Sequence, residues 1–438
     1  MNKIGAGPVR AAFSAKHLTL KSMRSRSTLV KWLVAGGTAL AIAAPGIAAN
    51  WPQTSFSAAH NSYNAQETTI SPSNVSGLQV LWGAGVPGGV TAFALNAGKI
   101  YAQGQGGSGV PNLAAIDAAS GTTLWTITTG NDGNGSSNAT IAVGSGLIFV
   151  GCGFSEGGGA GGTAYGGVCA YRPATGKLAW HFANPCDCEP EASLWAPPVY
   201  SGGVVYFGYG NGGTDAAEYI VAASATTGDV LWTYVAGTAN TLGNAAPTVG
   251  NGMVYFTCAS NSDNFKGICA VSQSNGSLVW SADTGSTTMG LSLGSNKVLY
   301  VNGGSANEFA ALNATTGVQI WSVTGNSSPF PVSLAKGIVY ATGSDGVVYA
   351  LHSTTGRTLW SVNMASQSSV SIANGVLYDD QQGSNNPETA AYSVSDGSLL
   401  WSSPEPGSTL HPPPIVANGI LYITNGACGS VCAYGPSD

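Results

Sequence analysis

Short apolar stretches of four to six residues, separated by Gly, Asn, Ser and Thr, recur from about residue 78 to the end of the chain. Typical copies run from Asn251-Gly252 into Met-Val-Tyr-Phe and from Asn374-Gly375 into Val-Leu-Tyr. Gly and Asn tolerate the positive φ angles of tight turns, and runs this short are typical of strands. The pattern therefore predicts an all-β chain of short strands joined by tight turns.

A repeat organises these strands. Seven copies share one frame, in which a Gly follows an Ala by six residues and a Trp follows the Gly by four, as in Ala115, Gly121 and Trp125. Upstream of each frame lies an aromatic strand, and eight such strands are centred on Tyr101, Phe149, Tyr206, Tyr255, Tyr300, Tyr340, Tyr378 and Tyr422. Each repeat supplies four strands, which we call the inner, aromatic, Ala and Trp strands. Radially stacked four-stranded sheets are propeller blades, so we expect an eight-bladed β-propeller.

The two ends of the chain complement each other. The last repeat, over 420–434, stops before its Trp strand, whereas the first Trp strand, over 78–82, has no strands before it. Pairing of these terminal strands completes the eighth blade. We therefore expect a propeller over 78–438, preceded by an N-terminal extension over 50–77.

Residues 1–49 resemble an export signal. Arg24, Arg26 and Lys31 precede an apolar run over 32–44 that is too short for a comfortable membrane span, and small residues follow it. Met23 is an alternative start, since 23–49 is a complete signal peptide by itself; a retained anchor is the competing interpretation. We expect cleavage, no stable membrane insertion afterwards, and a periplasmic or extracellular protein.

Charge is scarce and becomes acidic once the signal is removed. Only 8% of residues are charged, and the net charge is −6. Residues 1–49 contain seven of the fourteen bases and no acid. Without them the chain has seven bases and twenty acids, so its net charge is 7 − 20 = −13. Such a surface disfavours nucleic acid and anionic lipid as partners.

Eight cysteines follow residue 49, as expected in an oxidising compartment. Cys169, Cys269 and Cys432 stand directly before the Ala of the frame, and Cys152, Cys258 and Cys428 lie one strand earlier in the same blades. We therefore predict three disulfides within blades: Cys152–Cys169, Cys258–Cys269 and Cys428–Cys432. For Cys186 and Cys188, a strained disulfide and a metal or thiol site both remain open.

The frame A-x-D-x-x-x-G-x-x-x-W resembles the tryptophan-docking motif of the pyrroloquinoline quinone (PQQ) propellers. The segment that begins Trp51-Pro52-Gln53 also resembles the opening of PQQ-like repeat proteins. This family includes PQQ- and Ca²⁺-dependent dehydrogenases, an outer-membrane-assembly scaffold and tetrathionate hydrolases. The resemblance implies the fold and says little about the activity.

Propeller topology assigns the loops to two faces. The connections from aromatic to Ala strand and from Trp strand to the next inner strand open on one face, which we call the site face because the related enzymes bind PQQ there. Of the seven bases after residue 49, we expect only Lys266 on that face, and fifteen of the twenty acids, including Asp187, Glu189, Glu191, Asp215, Glu218, Asp379 and Asp380. PQQ carries three carboxylates, so this charge distribution disfavours it.

Alignment of the inner strands predicts the residues around the axial mouth on the site face. The candidate ligand-binding residues there are Trp195, His411, Asn138, Asn244 and Gln367. Trp195 and His411 occur in matching Pro-rich contexts and offer an apolar plate opposite a titratable ring, although both could simply fill the channel. Asp187, Glu189 and Glu191 form a weak candidate site for a hard cation such as Ca²⁺, with a solvated loop as the alternative.

These observations favour a binding or scaffold protein that uses its acidic loop face to hold a protein or a small molecule. We expect no cofactor. The alternatives are a PQQ- and calcium-dependent dehydrogenase and a tetrathionate-hydrolase-like enzyme active at acid pH, where protonation of the acids leaves the bases dominant. The sequence leaves open whether the protein is an enzyme.

Overall fold

A computed structural model describes the parts of the chain that carry the repeats: residues 50–87, 89–104, 111–129, 140–155, 164–182, 192–211, 217–238, 241–242, 245–260, 264–304, 308–366, 368–380, 388–404, 412–424 and 428–437. The regular structure within these ranges is β-sheet apart from one 3-10 turn, Val75–Gly77. The described part has no helix long and apolar enough to cross a membrane.

Eight sheets of the predicted kind are present. The four blade strands of each sheet pair antiparallel, and in seven of the eight blades they follow one another in chain order. We number the blades 1 to 8 along the chain. In blades 1 to 4 the strands are β3 Ala92–Asn96, β4 Lys99–Gln103, β5 Leu113–Asp117, β6 Thr123–Ile127; β7 Ala142–Gly144, β8 Leu147–Ser155, β9 Ala164–Tyr171, β10 Leu178–His181; β11 Ala192–Ser201, β12 Val204–Asn211, β13 Ala217–Ser224, β14 Val230–Thr238; and β15 Thr248–Gly250, β16 Met253–Ser260, β17 Phe265–Ser272, β18 Leu278–Asp283.

Blades 5 to 7 repeat this plan, and blade 8 joins both ends of the chain. The strands are β19 Met289–Leu293, β20 Val298–Gly303, β21 Glu308–Asn313, β22 Gln319–Thr324; β23 Ser333–Ala335, β24 Ile338–Thr342, β25 Val347–His352, β26 Thr358–Asn363; β27 Ser371–Ala373, β28 Val376–Asp380, β29 Glu388–Ser393, β30 Leu399–Pro404; and β31 Ile415–Ala417, β32 Ile420–Ile423, β33 Val431–Pro436 with β2 Leu78–Ala84. β2 pairs antiparallel with β33, which confirms the predicted closure of the ring.

The tryptophans of the frame join each blade to the next. The Trp280 indole N–H donates to the Ala314 carbonyl of blade 5 at 3.0 Å, and the Tyr255 hydroxyl donates to the same oxygen at 3.1 Å. Equivalent indole bonds to the next blade are made by Trp125, Trp180, Trp232, Trp321 and Trp360. The predicted docking role of these residues is therefore confirmed, and the apolar cores lie between neighbouring sheets.

The sequence did not predict how the N-terminal extension is used. Residues 50–64, which we call the strap, visit the inner strands of all eight blades in ring order. The contacts begin with paired backbone bonds between Trp51 and Leu95 of blade 1 and end where the Asn64 amide donates to the Val416 carbonyl of blade 8, at 2.8 Å in each case. Between them, the strap reaches Val143, Tyr200, Val249, Leu293, Leu334 and Ile372.

The strap lies near the turns from inner to aromatic strand, on the face opposite the site face; we call this the strap face. Its last two residues, β1 (Tyr63–Asn64), add a parallel fifth strand to blade 7 beside β27. Four strap residues that are not glycine, Ser55, Phe56, His60 and Ser62, have positive φ angles. Because such backbone is costly, the bonds to the eight inner strands must hold it in place.

Three predicted disulfides are confirmed. Cys152 bonds Cys169, Cys258 bonds Cys269, and Cys428 bonds Cys432, with Cα atoms 5.8, 5.7 and 5.9 Å apart. The first two lie diagonally across paired strands, since Cys152 stands opposite Gly167 and Cys258 opposite Gly267. Cys186 and Cys188 lie outside the described residues, so both predictions for them stay open.

Candidate functional site

The cationic side chains are separated from the site face, as predicted. Every Lys and Arg after residue 49 lies in the described part. Six of the seven occur at turns on the strap face: Lys99, Arg172, Lys177, Lys297, Lys336 and Arg357. Lys266, exposed at the start of β17, is the exception on the site face.

Several predicted surface acids are in fact buried. Glu218, Asp379 and Asp380 occupy the site-face ends of β13 and β28, but no more than 1% of each is exposed. Glu218 accepts the Leu242 backbone N–H at 2.7 Å. We predicted that these acids would add charge to the loop face; they lie between sheets instead, so that expectation needs correction. Asp283 and Asp345 are described acids that remain exposed there.

The predicted mouth residues are only partly described. Trp195 belongs to β11, beside an irregularity of register between Leu194 and Ala196, but its side chain lies outside the described part. Asn138, Asn244, Gln367 and His411 lie outside it as well. These five assignments therefore stay predictions.

Metal binding is equally untested at the predicted position, because Asp187, Glu189 and Glu191 lie outside the described residues. Within the described ranges, no three His, Cys, Asp or Glu side chains are grouped to hold a metal ion. The site residues that can be argued from geometry are therefore of another kind.

The most distinctive of them is Asp379. Its Oδ1 lies 2.6 Å from the Ser366 hydroxyl, in the connection between blades 6 and 7, while its Oδ2 is buried without a hydrogen-bond partner. Burial, and next the charge of Asp380, raise the pKa of Asp379 to about 7. The carboxyl is therefore a proton acceptor that titrates near neutral pH.

Repeat alignment contained the signal for this burial. Asp379 follows the aromatic residue of its strand by one position, and the other seven blades have a buried apolar side chain there: Ala102, Val150, Phe207, Phe256, Val301, Ala341 and Ile423. Tyr378 packs toward blade 8 and Leu377 toward blade 6. Because side chains alternate along a strand, Asp379 is on the same side as Leu377 and faces the preceding blade.

A second buried titratable group belongs to the strap. His60 Nδ1 lies 3.2 Å from the Thr248 hydroxyl, which in turn donates to the Leu291 carbonyl at 2.9 Å. Desolvation lowers the pKa of His60 to about 4. The imidazole is therefore neutral through the range in which an exposed histidine titrates.

An outer cleft of about 490 Å³ separates blades 3 and 4. It is lined by Tyr234, Val235, Phe265, Leu278 and the Cys258–Cys269 disulfide, together with backbone and hydroxyl groups, and none of the described lining residues is charged. The cleft therefore suits an uncharged group rather than an anion.

Comparison with known proteins identifies the family. A family model described as outer membrane protein assembly factor BamB matches residues 66–218, 164–333 and 344–438, which is most of the chain. The chain belongs to this BamB-like family of PQQ propellers. The predicted resemblance is thereby confirmed.

Two curated relatives of this BamB-like chain differ in kind, one being named a hydrolase and the other an assembly factor. A tetrathionate hydrolase of Acidithiobacillus ferrooxidans is 25% identical over 262 residues, 49% of this chain and 52% of that protein. The assembly factor BamB of Salmonella typhimurium is 33% identical over 123 residues, 24% of this chain and 31% of that protein. The chain thus spans about half or less of each relative's length, and neither activity transfers directly.

Solved structures confirm the fold of the BamB-like chain. A quinohemoprotein alcohol dehydrogenase from Pseudomonas putida HK5 superposes with a TM-score of 0.67 at 15% identity, covering 89% of this chain and 80% of the other. BamB from Moraxella catarrhalis gives a TM-score of 0.56 at 16% identity, covering 82% and 97%. At these identities the likeness extends to architecture alone.

Proposed function

We propose that this BamB-like propeller is an exported binding or scaffold protein that holds a protein or a small molecule on its site face. The placement of the cations carries the proposal: six of the seven bases after residue 49 are on the strap face, and Lys266 alone is on the site face. A ligand held there is therefore recognised by neutral and acidic groups, as in the cleft between blades 3 and 4, whose described lining is uncharged.

The quinone does not fit this arrangement. PQQ presents three carboxylates, and burying a carboxylate without a cationic partner is costly. Apart from Lys266, the Lys and Arg side chains that could neutralise it lie on the opposite, strap face. We therefore propose that the chain functions without PQQ, and we assign no reaction step to it.

Export is part of the proposal. Three disulfides within the described blades are consistent with an oxidising compartment. The signal peptide proposed for 1–49 lies outside the described residues. N-terminal sequencing of protein secreted by the producing cell, with cleavage next to Ala49 as the expected result, would test it.

An acid-active hydrolase is the second candidate, because Asp379 gives it specific support. Its pKa is about 7, so this buried carboxyl is neutral in acid and carries no uncompensated charge there. Tetrathionate turnover measured near pH 3 and near pH 7 separates this candidate from a scaffold, which gives none at either pH.

A paired photocrosslinking experiment tests the binding proposal. A photoreactive amino acid at Asp283 or Glu308 samples the site face, and one at Lys336 or Arg357 samples the strap face as a matched control. A discrete adduct in the producing cell from the site-face positions only is expected. Adducts from the strap face alone would overturn the proposed face.

A further inference from the structure

The connection between blades 6 and 7 contains three buried serines. We call residues 364–366 and 368–370 the serine segment; it joins β26 to β27 on the site face. Ser366, Ser368 and Ser369 are each at most 6% exposed. Buried hydroxyls require hydrogen-bond partners, so the ordering of this segment depends on how its protons are shared.

Blade 6 holds one side of this segment through hydrogen bonds in both directions. The Thr342 hydroxyl donates to the Ser368 carbonyl at 2.8 Å, and the Ser369 hydroxyl donates to the Pro331 carbonyl at 2.9 Å. The backbone N–H of Ser366 donates to the Gly346 carbonyl at 3.1 Å. The segment is thereby held against blade 6, and its side toward blade 7 depends on Asp379.

When Asp379 is ionised, the Ser366 hydroxyl has two hydrogen-bond acceptors beside it and only one proton to donate. The Ser366 oxygen lies 2.6 Å from Asp379 Oδ1 and 3.3 Å from the Ser368 carbonyl, two acceptors for one proton. A protonated carboxyl resolves the conflict, since it can donate to Ser366, which then donates to Ser368. An ionised carboxylate instead accepts the hydrogen bond of the Ser366 hydroxyl, which leaves the Ser368 carbonyl without that donor and the charged, buried Oδ2 without a partner.

We propose that Asp379 and the serine segment form a proton-binding latch between blades 6 and 7, closed when the carboxyl is protonated and loosened when it ionises. Ionisation draws water to the carboxylate, and the segment must move to admit it. The site face is thus more ordered in acid than in mildly alkaline solution, whichever ligand it holds.

The surrounding charges are few. On β28 itself, Asp380 raises the pKa of Asp379, and the serine segment has no titratable side chain among its described residues. On the neighbouring β29 stands Glu388, whose side chain is outside the described part, and blade 6 presents Asp345, which is exposed. No described Lys or Arg lies on the site-face side of these elements; Lys336 and Arg357 are in the two strap-face turns of blade 6.

Amide hydrogen exchange of the serine segment, corrected for the intrinsic effect of pH, tests the latch. Between about pH 5 and about pH 9 we expect exchange to accelerate at least about tenfold in the native protein. The isosteric variant Asp379→Asn keeps the segment protected throughout, whereas Asp283→Asn, which removes an exposed site-face carboxylate, behaves as native. Exchange independent of pH in the native protein, or unchanged pH dependence in Asp379→Asn, would overturn the proposal.

A second readout does not depend on the variant folding. The infrared band of a protonated carboxyl is expected in the native protein at mildly acid pH, and its loss should follow the same midpoint as the loosening of the segment. Loss of the band at the pH of an ordinary aspartate, well before the segment loosens, would contradict the latch.

Discussion

The indole ring of Trp280 rests on the backbone of Gly317 in the next blade. A Cβ atom added to Gly317 would stand 2.6 Å from the ring carbon Cε3, and the residue has a φ of +74°. Gly317 therefore serves two purposes, since it makes the turn and gives the neighbouring tryptophan a flat surface. The glycines of the other frames receive the preceding blade's tryptophan in the same way.

Replacing Gly317 with Ala should destabilise the protein beyond the cost of its backbone angle. An Ala at positive φ costs about 1–2 kcal/mol, and displacing the docked ring adds about 1–3 kcal/mol. The control is Gly252→Ala, where φ is +77° and a Cβ meets nothing within 4 Å. Urea unfolding with the disulfides intact measures both; equal losses would show that docking on the glycine contributes nothing.

The Glu67 side chain fastens the segment after the strap. Its carboxylate accepts the backbone N–H groups of Thr69, Ile70 and Gly419, at 2.6, 3.1 and 2.9 Å. Because Glu67 is buried, Glu67→Ala leaves three donors unpaired and should cost about 2–4 kcal/mol in free energy of unfolding. The exposed neighbour Gln66 provides the control, since Gln66→Ala should change stability little. Similar losses for both variants would show that the three hydrogen bonds of Glu67 contribute nothing.

His60 should make stability depend on pH in the acid range. Its pKa is about 4 in the fold against about 6.5 for an exposed histidine, so between these values the unfolded chain binds more protons. Its contribution is therefore complete above about pH 6.5 and is lost as pH falls, by roughly 3 kcal/mol at about pH 4.

A comparison of variants isolates this effect from that of the carboxyls. His60→Gln should lose less stability than the native protein between pH 7 and pH 4, and His352→Gln, at the strap-face end of β25, is the matched control. Denaturant unfolding at several pH values gives the slopes. Parallel slopes for the native protein and His60→Gln would show that the imidazole is not held neutral.

The sequence predicted the ring because each blade contains its own signals. The frame of Ala115, Gly121 and Trp125 recurs with fixed spacing, and the split eighth blade is visible in the unmatched strands at the two ends. The strap was missed for a physical reason: its bonds to six of the eight inner strands join backbone groups, and these leave no side-chain pattern.

Much less of the site could be predicted. Loop acids were assigned to the surface because a charged residue near a turn is usually solvated, yet Asp379 occupies a register that is apolar in every other blade. Side chains in aligned strands can be placed by such comparison. Trp195 stands beside an irregularity of register in β11, and His411 lies outside the described residues, so both remain predictions.

The central claim, that this propeller binds through a face poor in cations and without the quinone, is tested most directly by titrating the oxidised protein, freed of residues 1–49, with PQQ, with and without Ca²⁺. Intrinsic fluorescence and quinone absorbance report the binding. The account predicts no saturable binding under either condition. Saturation at micromolar or lower PQQ would contradict it and make a quinoprotein dehydrogenase the leading function.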